Sequence, residues 1–220
     1  MPGPDPQLAA IAEPRLRALA ARGTVRKYRR GTVLMEEGDA GSTLLVVLAG
    51  RLRAYSTDTA TGEGREITYG VYGPGDLVGE MALDGGPRSA SVITLDPATC
   101  VVLTRETVRA YIAEEPEFAF DLLTRVIARA RRATHSARSL VMTDAYGRLC
   151  ELLTGRAGPA SGTEGVRRLP ERMTHQEIAW QIGCSREMVS RLLSDLKAGG
   201  YIDLDEARHL LICKPLPARW

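Results

Sequence analysis

The chain has 220 residues, 44% of them hydrophobic and 25% charged, with a formal net charge of +2. This is the composition of an ordinary globular protein with room for one large domain or two small ones, and such a charge by itself implies no partner. No apolar run reaches the 18 residues of a membrane span, and the opening MPGPDPQLAAIAEPRL lacks a basic segment ahead of an apolar core, so neither a spanning helix nor a secretion signal is read and the expected location is the cytoplasm.

Cys100, Cys150, Cys184 and Cys213 fit no CxxC pair or metal-ligand spacing, and His135, His175 and His209 are scattered. No metal site is expected, and the cysteines read as buried free thiols.

In chain order, residues 1–22 open on a Pro-rich tip followed by a helical pattern through Leu8, Ile11, Leu16 and Leu19. Residues 24–107 then carry short alternating or apolar runs: TVRKY, TVLME, TLLVVLAG, RLRAYST, EITYGVY, SASVITL and CVVLT. Turn signals separate them, at residues 37–41, 61–64 and 73–76. Many short strands at near-regular spacing predict a β-barrel, sandwich or jelly roll.

The period changes at Phe118, and no Gly or Pro follows until Gly147. Ala119, Leu123, Val126, Ala130, Ala133, Ala137 and Leu140 recur at alternating steps of four and three, an a/d seam over three heptads. A long helix is predicted, either packed on its own domain or paired with a second copy; pairing is the preferred reading because isolated helices need partners. Asp144, just past the seam, is a candidate hinge. Between Asp121 and Asp144 there is no acidic residue, while Arg125, Arg129, Arg131, Arg132 and Arg138 all occur. That face is either a solvated surface or the neighbour of an anion.

A helix over Tyr146–Thr154 and the loop GRAGPASGTEG lead to the segment MTHQEIAWQIGCSREMVSRLLSDLKAGGYIDL. Thr174 and Glu177 form a capping box signature. Ile178, Ala179 and Ile182 supply a buried face, and Gly183 a turn that needs positive φ. Ser185 caps a second helix, Arg186–Ala198, with Met188, Val189, Leu192, Leu193 and Leu196 on its apolar side and Gly199-Gly200 at its end. Tyr201–Leu204 and His209–Cys213 then pair as a wing. Two short helices around a glycine turn make a helix-turn-helix, whose second helix enters the major groove by its first residues. Here those are Ser185, Arg186 and Glu187, with Arg191 one turn on. An arginine can donate twice to guanine and a glutamate can accept from cytosine, each contact worth about 1–3 kcal/mol of base discrimination.

Cys184, Ser185, Arg186, Glu187, Val189 and Arg191 reproduce the reader pattern Cys-Ser-Arg-Glu-x-Val-x-Arg, and in this the chain resembles the CRP/FNR family of bacterial regulators. The resemblance implies base contacts from Arg186, Glu187 and Arg191, phosphate contacts from Thr174 and Ser185, and a half-site similar to TGTGA within a palindrome read by a homodimer. It implies an α+β architecture: a jelly-roll-like cyclic-nucleotide-binding β-roll at 1–110, a dimerisation helix at 111–143 and a winged helix-turn-helix at 144–220. It also implies a contact with RNA polymerase.

The stretch GEMALDGGPRSA is similar to that family's phosphate-binding cassette, with Met81 at its small or apolar position. By resemblance Glu80 holds a ribose hydroxyl and Arg88 the phosphate; Ser89 and Ala90 lie on the phosphate side, and Gly79 permits close approach. The chemistry suits this, since a carboxylate accepts from a hydroxyl and a guanidinium grips two phosphate oxygens in parallel. Two features depart from the family. The interval from Glu80 to Arg88 is eight residues, where many relatives have nine or ten. The family's Thr-Ser pair of base contacts falls at Ala133 and Thr134, of which only Thr134 can hydrogen-bond. The effector the resemblance implies is cAMP; the two departures count against adenine recognition and make cyclic di-GMP the alternative, favoured if Arg129, Arg131 and Arg132 face the ligand. A regulator with a vestigial pocket is a further alternative. A cupin-like metalloenzyme is remote, because residues 24–107 hold no histidine; no enzymatic activity is expected.

Overall fold

The computed structural model describes residues 6–57, 66–161 and 165–217. It divides into two compact units, Met1–Ala130 and Arg131–Trp220, each described by itself.

The N-terminal unit opens on a 3-10 turn, Pro6–Ala10, and helix α1, Pro14–Ala20. The sequence pattern suggested a continuous helix here. Pro14 sits at the helix start, where its missing N–H is harmless, and so divides the segment. Eight strands follow: β1 Thr24–Tyr28, β2 Val33–Met35, β3 Thr43–Ala49, β4 Leu52–Thr57, β5 Glu66–Tyr72, β6 Leu77–Val78, β7 Ser91–Thr94 and β8 Ala98–Thr104. The turn signal at 61–64 lies outside the described residues. The strands form two antiparallel four-stranded sheets, ordered β1-β8-β3-β6 and β2-β7-β4-β5. The alternating runs predicted a β-barrel, sandwich or jelly roll, and the arrangement is the β-roll that the family resemblance implied.

Strand β3 shows why one run reads as continuously apolar. Leu45 and Val47 pack between the sheets with Met35, Leu52, Val92 and Cys100. Leu44, Val46 and Leu48 face the opposite way, into a core with Leu16, Leu19, Leu103, Tyr111 and Phe118. A strand covered on both faces has no solvent side on which to place polar residues.

Two helices follow β8. Helix α2, Arg105–Glu114, was not anticipated from the sequence; it is capped by the Thr104 hydroxyl, which accepts from Thr107 N at 3.1 Å. Helix α3 runs Glu117–Met142. Its first turns are fastened to the roll by Phe118, fully buried edge-on to Tyr111 at 5.2 Å between ring centroids. They are also fastened by two ion pairs, Arg15–Asp121 at 3.2 Å and Arg125–Glu13.

The predicted seam is shifted at its start. Ala119 is half-buried against the unit's own core, while Phe120, which the seam omitted, is 64% exposed, beside Leu123 at 52%, Val126 and Ile127. The open stripe keeps Leu123 and Val126 of the predicted seam and adds Phe120 and Ile127, while Phe118 and Leu122 take the inner face.

The C-terminal unit contains helices α4 Ala145–Arg156, α5 His175–Ile182 and α6 Arg186–Ala198. Its four-stranded sheet is ordered β11-β12-β10-β9, from β9 Ala160–Ser161, β10 Val166–Arg168, β11 Ile202–Leu204 and β12 Leu210–Ile212. Leu149, Leu153, Leu169, Ile178, Val189, Leu193 and Leu196 form its core. Asp144, read as a hinge, is the N-cap of α4 and accepts from Gly147 N at 2.7 Å.

Phe118 is the residue most directly joining α3 to the roll core, and Phe118→Ala should cost about 3–5 kcal/mol in the N-terminal unit. Urea unfolding would measure it, and a loss under about 1 kcal/mol would contradict this packing.

Candidate functional site

The cassette begins where β6 ends. Gly79 has φ +93°, a conformation only glycine adopts cheaply, and a Cβ there would stand 2.8 Å from Arg88 Nη1. A 3-10 turn, Glu80–Asp84, follows, and the chain bends back through Gly85 to Arg88. The loop between β2 and β3 fixes this return: Arg88 N donates to Asp39 O at 2.8 Å, and Gly38 N donates to Arg88 O at 2.9 Å.

The structure brings Glu80 and Arg88 into one region but does not pair them. The Arg88 residue is 8% exposed, and its guanidinium donates only to neutral oxygens. Nη2 donates to Thr43 O at 2.7 Å and to Thr43 Oγ1 at 3.0 Å, and Nη1 donates to Gly79 O at 3.3 Å. Among the described residues no carboxylate comes within ion-pair distance of it. Burial lowers its pKa, the direction expected of a cation taken out of water without a counter-charge.

The Glu80 side chain, 4% exposed, is held instead by Arg129 of α3. Arg129 also donates to Leu77 O and lies over the Tyr72 ring, 4.8 Å from its centroid. The Glu80–Arg129 pair is thus neutral as a unit, and Arg88 is a surplus buried cation beside it. That corrects one expectation: Arg129 is not an open cation awaiting an anion. Arg131 and Arg132 are exposed on the C-terminal unit's part of α3.

The other cassette residues are less committed. Ser89 Oγ donates to Met81 Sδ at 3.2 Å, and Met81 is 59% exposed. Ala90 packs against the inter-sheet core. Thr134 belongs to the C-terminal unit, where it is exposed.

The reader helices have the local chemistry the sequence called for. Thr174 Oγ1 accepts from Glu177 N at 3.1 Å while Thr174 N donates to Glu177 Oε2 at 2.7 Å, a complete capping box on α5. Gly183 turns the chain at φ +64°, and Ser185 Oγ accepts from Met188 N at 3.2 Å to cap α6. Arg148 Nε donates to Ile182 O at 2.6 Å, which ties α4 to the carbonyl end of α5. Val189, Leu193 and Leu196 bury the inner face of α6. Met188, expected on that face, is 37% exposed, because the first-turn residue before Val189 falls on its flank. Arg186, Glu187 and Arg191 are exposed, and their side chains make no hydrogen bond or ion pair among the described residues.

Residues 25–115 match the cyclic nucleotide-binding domain, and residues 172–202 match the bacterial regulatory proteins of the crp family. A CRP-like cAMP-activated global transcriptional regulator of Mycobacterium tuberculosis is 32% identical, over 84% of this chain and 82% of that protein. The cyclic AMP receptor protein of Thermus thermophilus is 33% identical, over 81% and 79%. Among solved structures, the c-di-GMP responsive global regulator CLP of Xanthomonas campestris superposes with a TM-score of 0.76 at 23% identity, over 91% of this chain and 99% of that one.

The chain belongs to the crp family of bacterial regulatory proteins. It is therefore a CRP-family transcription regulator with a cyclic nucleotide-binding domain, and its helix-turn-helix is that family's. Two features of this CRP-family chain escaped sequence reasoning. The Glu80–Arg129 pair joins residues 49 apart, beyond any local motif. The Thr43 contact to Arg88 lies outside the cassette pattern. No helix among the described residues is long and apolar enough to cross a membrane, and no described cluster of three His, Cys, Asp or Glu could hold a metal ion.

The wing has its own electrostatic lock. Arg168 Nε donates to Asp205 Oδ2 at 2.7 Å, and His209 N donates to Asp205 Oδ1 at 2.7 Å, across a turn where Arg208 adopts φ +63°. The Arg168 hydrogen bond, followed by that from His209 N, draws the Asp205 pKa down from 3.8 to about 2. A depressed carboxylate pKa stabilises the wing above 3.8, and that contribution is lost as pH falls through about 2. An NMR titration of the Asp205 carboxyl carbon should show a midpoint near 2, moving up towards 3.8 in Arg168→Ala. A wild-type midpoint near 4 would contradict the lock.

Proposed function

We propose that this protein is a homodimeric, sequence-specific DNA-binding regulator whose DNA affinity is set by a cyclic mononucleotide, cAMP foremost, held in the β-roll. The observation that carries the reading is the buried Arg88 guanidinium with no carboxylate partner among the described residues, next to a Glu80 already neutralised by Arg129. The group has one positive charge in excess. One phosphodiester carries one negative charge, so a cyclic mononucleotide balances the site, while a cyclic dinucleotide brings two. In this reading Arg88 takes the phosphate and Glu80 accepts from the ribose 2′-hydroxyl while Arg129 holds its carboxylate in place. Gly79, Met81, Ser89 and Ala90 border the phosphate, and Thr134 is the candidate for hydrogen bonding to the base.

Arg186, Glu187 and Arg191 read base edges, and Thr174 and Ser185 donate their hydroxyl protons to DNA phosphates. The apolar stripe of Phe120, Leu123, Val126 and Ile127 supports pairing of α3 with a second copy, which would match a palindromic site. Segments 1–110, 111–143 and 144–220 serve ligand binding, dimerisation and DNA reading. The place of action is the cytoplasm, the output passes through contact with RNA polymerase, and no enzymatic step is involved. Ligand acts by binding two arrangements of the protein with unequal affinity.

The exposed Arg131 and Arg132 favour a second reading, control by cyclic di-GMP, since two further cations suit a second phosphate.

The test is fluorescence anisotropy on operator DNA chosen by site selection, with and without cAMP. Wild type should bind more tightly with cAMP. Arg88→Ala should lose the cAMP response while keeping basal DNA affinity, and Glu187→Ala should relax preference at one base pair of each half-site by about 1–3 kcal/mol. A cAMP response retained in Arg88→Ala sinks the ligand assignment, and unchanged base preference in Glu187→Ala sinks the reader assignment.

A further inference from the structure

We propose that Thr43, with Gly41 beside it, is a positioning residue for the anion site: it holds the Arg88 guanidinium in the pose that receives a phosphate. This rests on the reading of the β-roll as a cyclic-nucleotide site. Thr43 is the first residue of β3 and no part of the GEMALDGGPRSA cassette. It nevertheless supplies two of the three oxygens that hold the guanidinium, its carbonyl at 2.7 Å and its hydroxyl at 3.0 Å, both accepting from Nη2. The third is Gly79 O, on Nη1 at 3.3 Å.

A guanidinium has five N–H donors. Three are accounted for by these contacts, so the N–H on Nε and one on Nη1 remain for an incoming anion. Which donors stay open is decided by Thr43, since it occupies both hydrogens of one terminal nitrogen.

Gly41 makes this pose sterically possible. A Cβ at Gly41 would lie 2.4 Å from Arg88 Nε and 2.6 Å from Cζ. The guanidinium therefore occupies the space that a side chain at Gly41 would fill, with Gly79 closing on it from another side. The loop carrying Gly41 is also registered to the cassette by the backbone pair between Gly38, Asp39 and Arg88 and by the bridge from Ala40 to Pro87. The oxygens are neutral, so they fix the cation without cancelling its charge. A carboxylate at position 43 would hold the arginine equally well and abolish the excess charge that an anion needs.

Two measurements on the full chain test the role. The first is hydrogen exchange of the Arg88 guanidinium protons in the ligand-free protein, assigned by their loss in Arg88→Lys. The second is calorimetric titration with cAMP. Thr43→Val keeps the shape of the side chain and removes one acceptor. It should speed exchange and weaken cAMP binding about tenfold. Thr43→Ser restores the hydroxyl and should restore both. Gly41→Ala removes no acceptor yet must displace the guanidinium, and should weaken cAMP at least as much. The positioning role is overturned if Thr43→Val leaves exchange unchanged, or if exchange rises and cAMP affinity stays within about twofold of wild type. Failure of wild type to bind cAMP sinks the ligand reading instead, and the exchange measurement still decides whether Thr43 holds the guanidinium.

Discussion

The N-terminal unit depends on one costly arrangement, a guanidinium taken out of water and given no negative partner among the described residues. Burying Arg88 without a carboxylate disfavours its charged form. The fold offsets part of that cost with neutral oxygens from Thr43 and Gly79, and makes room for the group with glycines at 41 and 79. What remains uncompensated is what an anion would satisfy. Under the proposed reading, the phosphate of a cyclic nucleotide supplies the missing counter-charge.

The neighbouring Glu80 shows the opposite solution, a buried carboxylate neutralised in place by Arg129 of α3. Asp121, Arg125 and Arg129 stand one turn apart on that helix. Each finds a partner in the N-terminal unit: Arg15, Glu13 and Glu80. One face of α3 is therefore spent on polar ties and another on Phe118 and Leu122, which leaves Phe120, Leu123 and Ile127 outward. A helix fixed this way presents its apolar stripe in a defined direction, and its third polar tie ends on the cassette itself.

Much of this was legible in the sequence, and what was missed had physical reasons. The alternating runs marked every long strand of the roll, and Thr174, Glu177, Gly183 and Ser185 marked the helix-turn-helix, because capping and turn chemistry are local. Strand β6 is only Leu77–Val78, too short to carry a period, and β9 and β10 lie in or beside a Gly- and Ser-rich stretch that reads as loop. Helix α2 is brief and follows directly on a β-branched strand, so its pattern merges with the preceding run. The seam as read differs from the exposed stripe only at its start, where Phe118 is buried, Ala119 is half-buried and Phe120 is open. At the ligand site, Glu80 and Arg88 were visible as a motif, but their separate partners were not. Arg129 and Thr43 reach them across 49 and 45 residues of chain, distances that no single sequence encodes without its fold.

The central claim is that the roll holds one surplus buried positive charge and therefore takes one singly charged phosphodiester. Competition calorimetry on the ligand-free protein tests it most directly, with cAMP and cyclic di-GMP titrated singly and then against each other. The account predicts that cAMP binds once per chain and that cyclic di-GMP neither binds this site nor displaces it. Displacement of cAMP by cyclic di-GMP, or no binding of cAMP at all, would contradict it.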